Sequence, residues 1–146
     1  MVGLTPAVVD AGAEPGFDAN LEAQLLESIR ADSTQARNEP IRFAMHAADG
    51  VLLAGLSGRT SYGWLHLDML WVAPDHRKKG YGRKLVTRAF DKARSLGCHS
   101  AWLDTSTPAA FAAWQKLGFS EFGRLTNVAG QHPERHQRWF MRTSLT

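Results

Sequence analysis

The feature that most limits how this chain can fold is the stretch from Trp64 to Gly97. Trp64–Val72 is a long apolar run broken only by His66 and Asp68, and Pro74-Asp75 closes it. Cations and glycines follow as Arg77-Lys78-Lys79-Gly80-Tyr81-Gly82-Arg83-Lys84. From Tyr81 to Ser95 the residues Leu85, Val86, Ala89, Phe90 and Ala93 share one helical face, and Gly97 supplies the stop. A strand therefore runs through a glycine loop straight into a helix.

The flanking segments read as partners for that unit. Residues 1–17, with Pro6, Pro15, Gly3, Gly12 and Gly16, are expected to hold one short strand around Ala7–Asp10. Phe17, Leu21, Leu25, Leu26 and Ile29 then follow helical spacing, with Asp18 as the expected N-cap, and Asp32–Pro40 reads as a loop. Ile41–Ala47 and Val51–Leu56 flank Asp49-Gly50, a hairpin signal, and a second turn is expected near Gly58–Gly63. His99–Asp104 reads as a strand, Pro108–Lys116 as a helix stopped by Gly118, and Phe119–Leu125 and Gln137–Ser144 as a final strand pair. The order is strands, helix, strand, helix, strands, which predicts an α/β (α+β) fold with helices packed on a mixed sheet.

At 146 residues, with 44% hydrophobic and 21% charged residues, one core suffices, and a single domain over residues 1–146 is expected. No apolar run approaches the roughly 20 residues of a membrane span, and Met1–Asp10 lacks the basic start of a signal peptide. The single Cys98 forms no internal disulfide, so a cytoplasmic protein is expected, with Cys98 itself a small buried apolar residue.

Five cations within the eight residues from Arg77 to Lys84 exceed what the overall net charge of +3 would place there. Such a cluster fits nucleic acid, a phosphate-bearing ligand or a solvated helix start. The glycines decide between them. A helix start exposes unpaired N–H groups at the positive end of its dipole, and Gly80 and Gly82 let that backbone approach a ligand. The segment is an anion cradle suited to a pyrophosphate. It is not a P-loop, and it lacks the third glycine of a dinucleotide fingerprint.

With its flanks, Val72-Ala-Pro74-Asp-His-Arg77-Lys-Lys-Gly80-Tyr-Gly82 resembles the acetyl-CoA site of the GCN5-related N-acetyltransferase (GNAT) superfamily, whose signature is Arg/Gln-x-x-Gly-x-Gly/Ala after Val-x-Pro. Gly97–Thr105 resembles the next family strand, and Ala113-Trp-Gln-Lys-Leu-Gly-Phe119 resembles the family's Tyr-x-x-x-Gly-Phe element. The likeness spans residues 50–143. It implies a mostly antiparallel central sheet of about six to seven strands with about four helices. It also implies acetyl-CoA as cosubstrate. Leu70, Trp71, Val72 and Ala73 would pair with its pantetheine arm, and Arg77, Lys78, Lys79, Gly80, Tyr81, Gly82, Arg83 and Lys84 would hold its pyrophosphate. The strands ending at Val72 and Asp104 would lie parallel and diverge to admit the thioester. Some family members dimerise through C-terminal strands, so a homodimer is a further expectation of the resemblance.

The reaction such a fold supports is direct attack of an amine on the thioester, which requires a base. His66 and Asp68 alternate with Leu70 and Val72, which places all four on one face of a regular strand. In the family a catalytic carboxylate lies on this strand, and one branch has its glutamate where His66 stands. His66 reads more readily as a packed strand residue. Asp68, a charge in an apolar strand, favours a functional role. Asp104 lies where another branch has a basic glutamate, yet it also suits the cap of the following helix. Of the three, the two aspartates are expected to matter more. The family's acidic tyrosine is replaced by Trp114, a cofactor-binding candidate whose indole N–H can hydrogen-bond to the CoA sulfur but does not protonate a thiolate, leaving water, Tyr62, Tyr81 or another group as the acid. His132 and His136 lack further ligands, so no metal is expected.

The spacing of Leu103-Asp-Thr to Trp114, the Pro133-x-x-His136 pair and the aromatic final strand resemble a bacterial small-molecule subgroup. The sharpest expectation for the acceptor is an aminoglycoside-like antibiotic, with Asp32, Glu39, Asp68, Asp104 and Glu121 gathered near the cleft and Trp64, Trp114 and Trp139 stacking sugar rings. The alternatives are a protein N-terminal or lysine N-acetyltransferase and a non-catalytic CoA-binding module. Neither nucleic acid nor membrane is an expected partner.

Overall fold

The computed structural model describes residues 3, 5–32 and 37–146. The chain divides into two compact units, Met1–Thr34 and Gln35–Thr146. In the first unit α1 spans Phe17–Asp32. Asp18 sits inside its first turn and is not its N-cap; there its carboxylate complements the positive end of the helix dipole. The strand expected at Ala7–Asp10 is absent: these residues have no ladder partner, and Val8 and Val9 are exposed. Residues 33–36 of the expected Asp32–Pro40 loop lie outside the described residues.

The second unit is a six-stranded sheet built from β1 (Pro40–His46), β2 (Leu52–Ser61), β3 (Trp64–Val72), β4 (Ser100–Thr105), β5 (Ser120–Thr126) and β6 (Gln137–Ser144). The spatial order is β1-β2-β3-β4-β6-β5, antiparallel throughout except for β3 and β4. Two helices complete this unit, α2 (Tyr81–Ser95) and α3 (Pro108–Lys116). Where about four helices were expected, the described residues form three, and Pro74–His76 forms a single 3-10 turn.

The amphipathic face read from the sequence is the face α2 buries, through Leu85, Val86, Ala89 and Ala93. They join Leu65 and Leu67 of β3, Ala101 and Leu103 of β4, and Trp139 and Met141 of β6 in one core. Each fully buried leucine there contributes about 1.5–3 kcal/mol. Cys98 belongs to this core, and burial pushes its thiol pKa up, so it stays a protonated apolar residue.

Two corrections concern the β2–β3 hairpin. The turn is confined to Tyr62-Gly63, both at positive φ (51° and 80°), as a two-residue hairpin of this twist requires. Gly58 lies inside β2, where a Cβ would stand 2.5 Å from the His66 carbonyl oxygen. That close approach accompanies a bulge: Ser57 pairs with Met69 and Gly58 with Leu67, leaving Asp68 as the extra residue of β3. The bulge reverses the alternation. Leu65 and Leu67 face the core before it, and Leu70 and Val72 pack on the core after it. His66 therefore does not share a face with Leu70 and Val72.

Candidate active site

β3 and β4 pair in parallel only at Trp64–Ser100, Leu65–Ala101 and His66–Trp102. Beyond that point the strands separate. β3 keeps its ladder with β2 as far as Val72, and Ala73 N–H still donates to Leu53 O at 2.8 Å. The other edge of β3 is left without a strand partner. A cleft of about 790 Å³ opens there, with Asp68, Leu70, Trp71, Val72, Asp104 and Trp114 in its walls.

The anion cradle stands at the end of that cleft. Lys78 and Gly80 both adopt positive φ (61° and 82°), and Gly80 caps α2 with no side chain covering the first N–H groups. A Cβ on Gly80 would meet open space, so the approach to these amides is clear. Gly82 lies against Leu70 and Val72, which ties the helix start to the end of β3. Arg77 Nε donates to the Val72 carbonyl at 2.9 Å and pins the loop between them. Lys78, Lys79, Arg83 and Lys84 are exposed around the cradle, and Arg83 also reaches the Lys116 carbonyl at the end of α3 (3.5 Å). These residues fit a diphosphate on the amides and an extended arm along the free edge of β3.

Of the titratable candidates, Asp68 and Asp104 line the cleft, and His66 meets Asp68 from outside it. His66 Nδ1 lies 3.1 Å from Asp68 Oδ1. A carboxylate only accepts, so the proton belongs on Nδ1 and the lone pair on Nε2. Nε2 is buried with no hydrogen-bond partner. Burial lowers the His66 pKa below 6.5, Asp68 opposes that shift, and nearby Arg59 reinforces it. The imidazole is neutral at pH 7. Asp104 is not the cap of α3: Thr107 Oγ1 accepts from Ala110 N–H at 3.2 Å and fills that role. Asp104 instead faces Arg138 Nε at 3.6 Å.

Residues 11–119 match the Acetyltransferase (GNAT) family. The chain belongs to that family. An acetyltransferase of Agrobacterium fabrum is 33% identical over 81% of this chain and 83% of its own. The blasticidin-S acetyltransferase of Streptomyces morookaense is 37% identical over 48% of this chain and 52% of its own. The crystal structure of an acetyltransferase from Bacillus cereus ATCC 14579 superposes with a TM-score of 0.75 at 25% identity, over 96% of this chain and 97% of that one. As a GNAT protein the chain is an N-acetyltransferase.

Measured against the family motif, the structure brings Leu70, Trp71, Val72, Arg77 and Trp114 into the cleft with both aspartates. Trp114 stands edge-on to Phe119 (5.2 Å between ring centres), and neither Tyr62 nor Tyr81 lines the cleft. His66 lies instead in an adjoining cavity of about 610 Å³ with Arg59, Trp64, Trp102, Phe122, Phe140 and Arg142 in its wall. The small residues Ala109, Ala110 and Ala113 of α3, which leave room in the cleft, were not singled out from the sequence, although the alanine-rich helix was the available signal. Of the carboxylates expected to gather here, Glu39 is held by Arg37 and Glu121 by Arg124, each at 2.7 Å.

Proposed function

We propose that this acetyltransferase moves the acetyl group of acetyl-CoA directly to the amine of a small molecule, with residues 1–146 acting as one domain. The observation that carries this reading is the early end of the β3–β4 ladder at His66 and Trp102, which opens a cleft between the anion cradle and the His66–Asp68 pair. Bound acetyl-CoA supplies an acyl carbon already activated as a thioester. The free edge of Leu70–Ala73 aligns the pantetheine arm, and the amides and cations of Arg77–Lys84 hold the diphosphate. Asp68 fixes the Nδ1 proton of His66, and Nε2 takes a proton from the bound ammonium. The freed amine then attacks the thioester carbon and displaces CoA as its thiolate, which water protonates. Asp104, across the cleft, attracts the ammonium before it is deprotonated.

The match over residues 11–119, which reaches into both units, supports one functional domain. Two relatives' names support a small acceptor: blasticidin-S acetyltransferase and streptothricin acetyltransferase. An aminoglycoside-like antibiotic is the narrower acceptor expected from the sequence; of the carboxylates expected around it, only Asp68 and Asp104 line the cleft. Among the described residues no helix is long and apolar enough to cross a membrane. Cytoplasmic residence and a homodimer belong to the same proposal.

The test is CoA release from acetyl-CoA over a panel of small amines, set beside peptides with free N-termini and lysines. Turnover confined to small amines is the expected result. Turnover confined to peptides would assign the protein-directed alternative, and CoA binding without turnover on either set would leave a binding module.

A further inference from the structure

Four residues on adjacent strands stand in one row across the sheet. Arg59 of β2 pairs with His66 of β3, His66 with Trp102 of β4, and Trp102 with Arg142 of β6. Directly paired residues project to the same side, so all four line the 610 Å³ cavity. At the centre the imidazole and indole rings stack at 3.8 Å and within 5° of parallel. The two flanking arginines stand three inter-strand steps of about 4.8 Å apart along the backbone. Both arginines are exposed, and among the described residues neither forms an ion pair with a carboxylate. Arg142 lies over the Phe122 ring at 5.4 Å, which leaves its fork open to a ligand. The rest of the wall is Ser61, Tyr62, Trp64, Phe122 and Phe140.

An aromatic cavity carrying two cations and no carboxylate is a poor place for a polycation. We infer that the acceptor is an amine that also bears a carboxylate on an apolar or aromatic body. Its carboxylate lies on Arg59 or Arg142, its body fills the aromatic cavity, and its amine reaches the His66–Asp68 pair where the two cavities adjoin. A guanidinium holds a carboxylate by two parallel hydrogen bonds, which gives orientation as well as attraction. Asp68 and Asp104 attract the amine locally, while the field within the aromatic cavity favours an anion. This inference rests on the acetyl-transfer reading and narrows its acceptor.

The experiment compares kcat/KM for phenylalanine, phenylalanine amide, phenethylamine and kanamycin in the wild type, Arg59→Gln, Arg142→Gln and Arg142→Glu. The expected wild-type result is a preference for phenylalanine over the amide and phenethylamine by roughly tenfold or more, the scale of one charge-assisted hydrogen bond. That ratio should collapse in at least one Arg→Gln variant, chiefly through KM, and reverse in Arg142→Glu. Acetylation of phenethylamine or kanamycin at least as well as phenylalanine, with a ratio indifferent to both arginines, would overturn the inference while leaving acetyl transfer intact. Acetyl-CoA bound without acetylation of any of the four amines or of the wider amine panel would overturn the acetyl-transfer reading and this inference with it.

Discussion

A histidine whose Nδ1 proton is held by a carboxylate has one nitrogen left for chemistry, and among the described residues that nitrogen has no hydrogen-bond partner. His66 and Asp68 form a base and its orienting group, so the side chain the sequence ranked behind the aspartates carries the central role in the proposed mechanism. Because burial holds the His66 pKa below 6.5, kcat/KM should rise with pH along a limb centred below that value and then level off. His66→Gln should remove the limb and lower the rate by about 10² or more. Asp68→Asn, which keeps the shape but loses the charge that holds the tautomer, should lower kcat with less effect on KM. An unaltered pH profile in His66→Gln would exclude the histidine as base. The same shift acts on folding. The unfolded imidazole binds its proton first as pH falls through 6.5, so His66 lowers stability progressively below that pH and leaves it unchanged above.

The elements that were legible in the sequence are those with an uninterrupted period or a hard stop. Trp64–Val72, Tyr81–Ser95, Pro108–Lys116 and Gln137–Ser144 have the bounds their apolar spacing and flanking Pro or Gly residues indicate. The bulge at Asp68 was not legible, because it depends on a glycine in the neighbouring strand; nothing within β3 itself reveals that Gly58 yields space to the His66 carbonyl. That single extra residue sends His66 to one side of the sheet and Leu70 to the other, which places His66 in the wall of the aromatic cavity and Leu70 in that of the cleft. The Arg59–His66–Trp102–Arg142 row was hidden for the same reason, since register across strands is a property of the sheet. The sequence offered Asp104 as a cap for α3, and the hydrogen bond from Ala110 N–H to Thr107 Oγ1 gives that role to Thr107. Thr107→Ala should therefore lower stability by about 1 kcal/mol, the usual scale of a lost N-cap. At this chain length a thermal scan would show it as roughly 2–4 °C in Tm. Asp104→Asn should leave Tm in place while lowering kcat/KM, because its carboxylate caps nothing. A large stability loss in Asp104→Asn with none in Thr107→Ala would reverse those assignments.

At the scale of the molecule, acetyl transfer needs one site to present three things: an edge for an extended arm, a positive end for a diphosphate and a base for the amine. The parallel pair supplies the edge by parting after His66 and Trp102, α2 supplies the positive end through Gly80 and Gly82, and the bulged strand supplies the base. The most direct measurement of that arrangement is calorimetric titration of CoA into the wild type and Gly82→Val, with Tm recorded for both. A Cβ at Gly82 would meet Leu70 and Val72 side chains at 3.8–3.9 Å, ordinary contact distances, and the paired Tm values report whether the further methyls of valine disturb that packing. The account predicts saturable CoA binding by the wild type and its loss in Gly82→Val, with the thermal transition of both proteins within a few degrees. Equal CoA affinity in the two proteins would contradict the placement of the diphosphate at the start of α2, and with it the central claim.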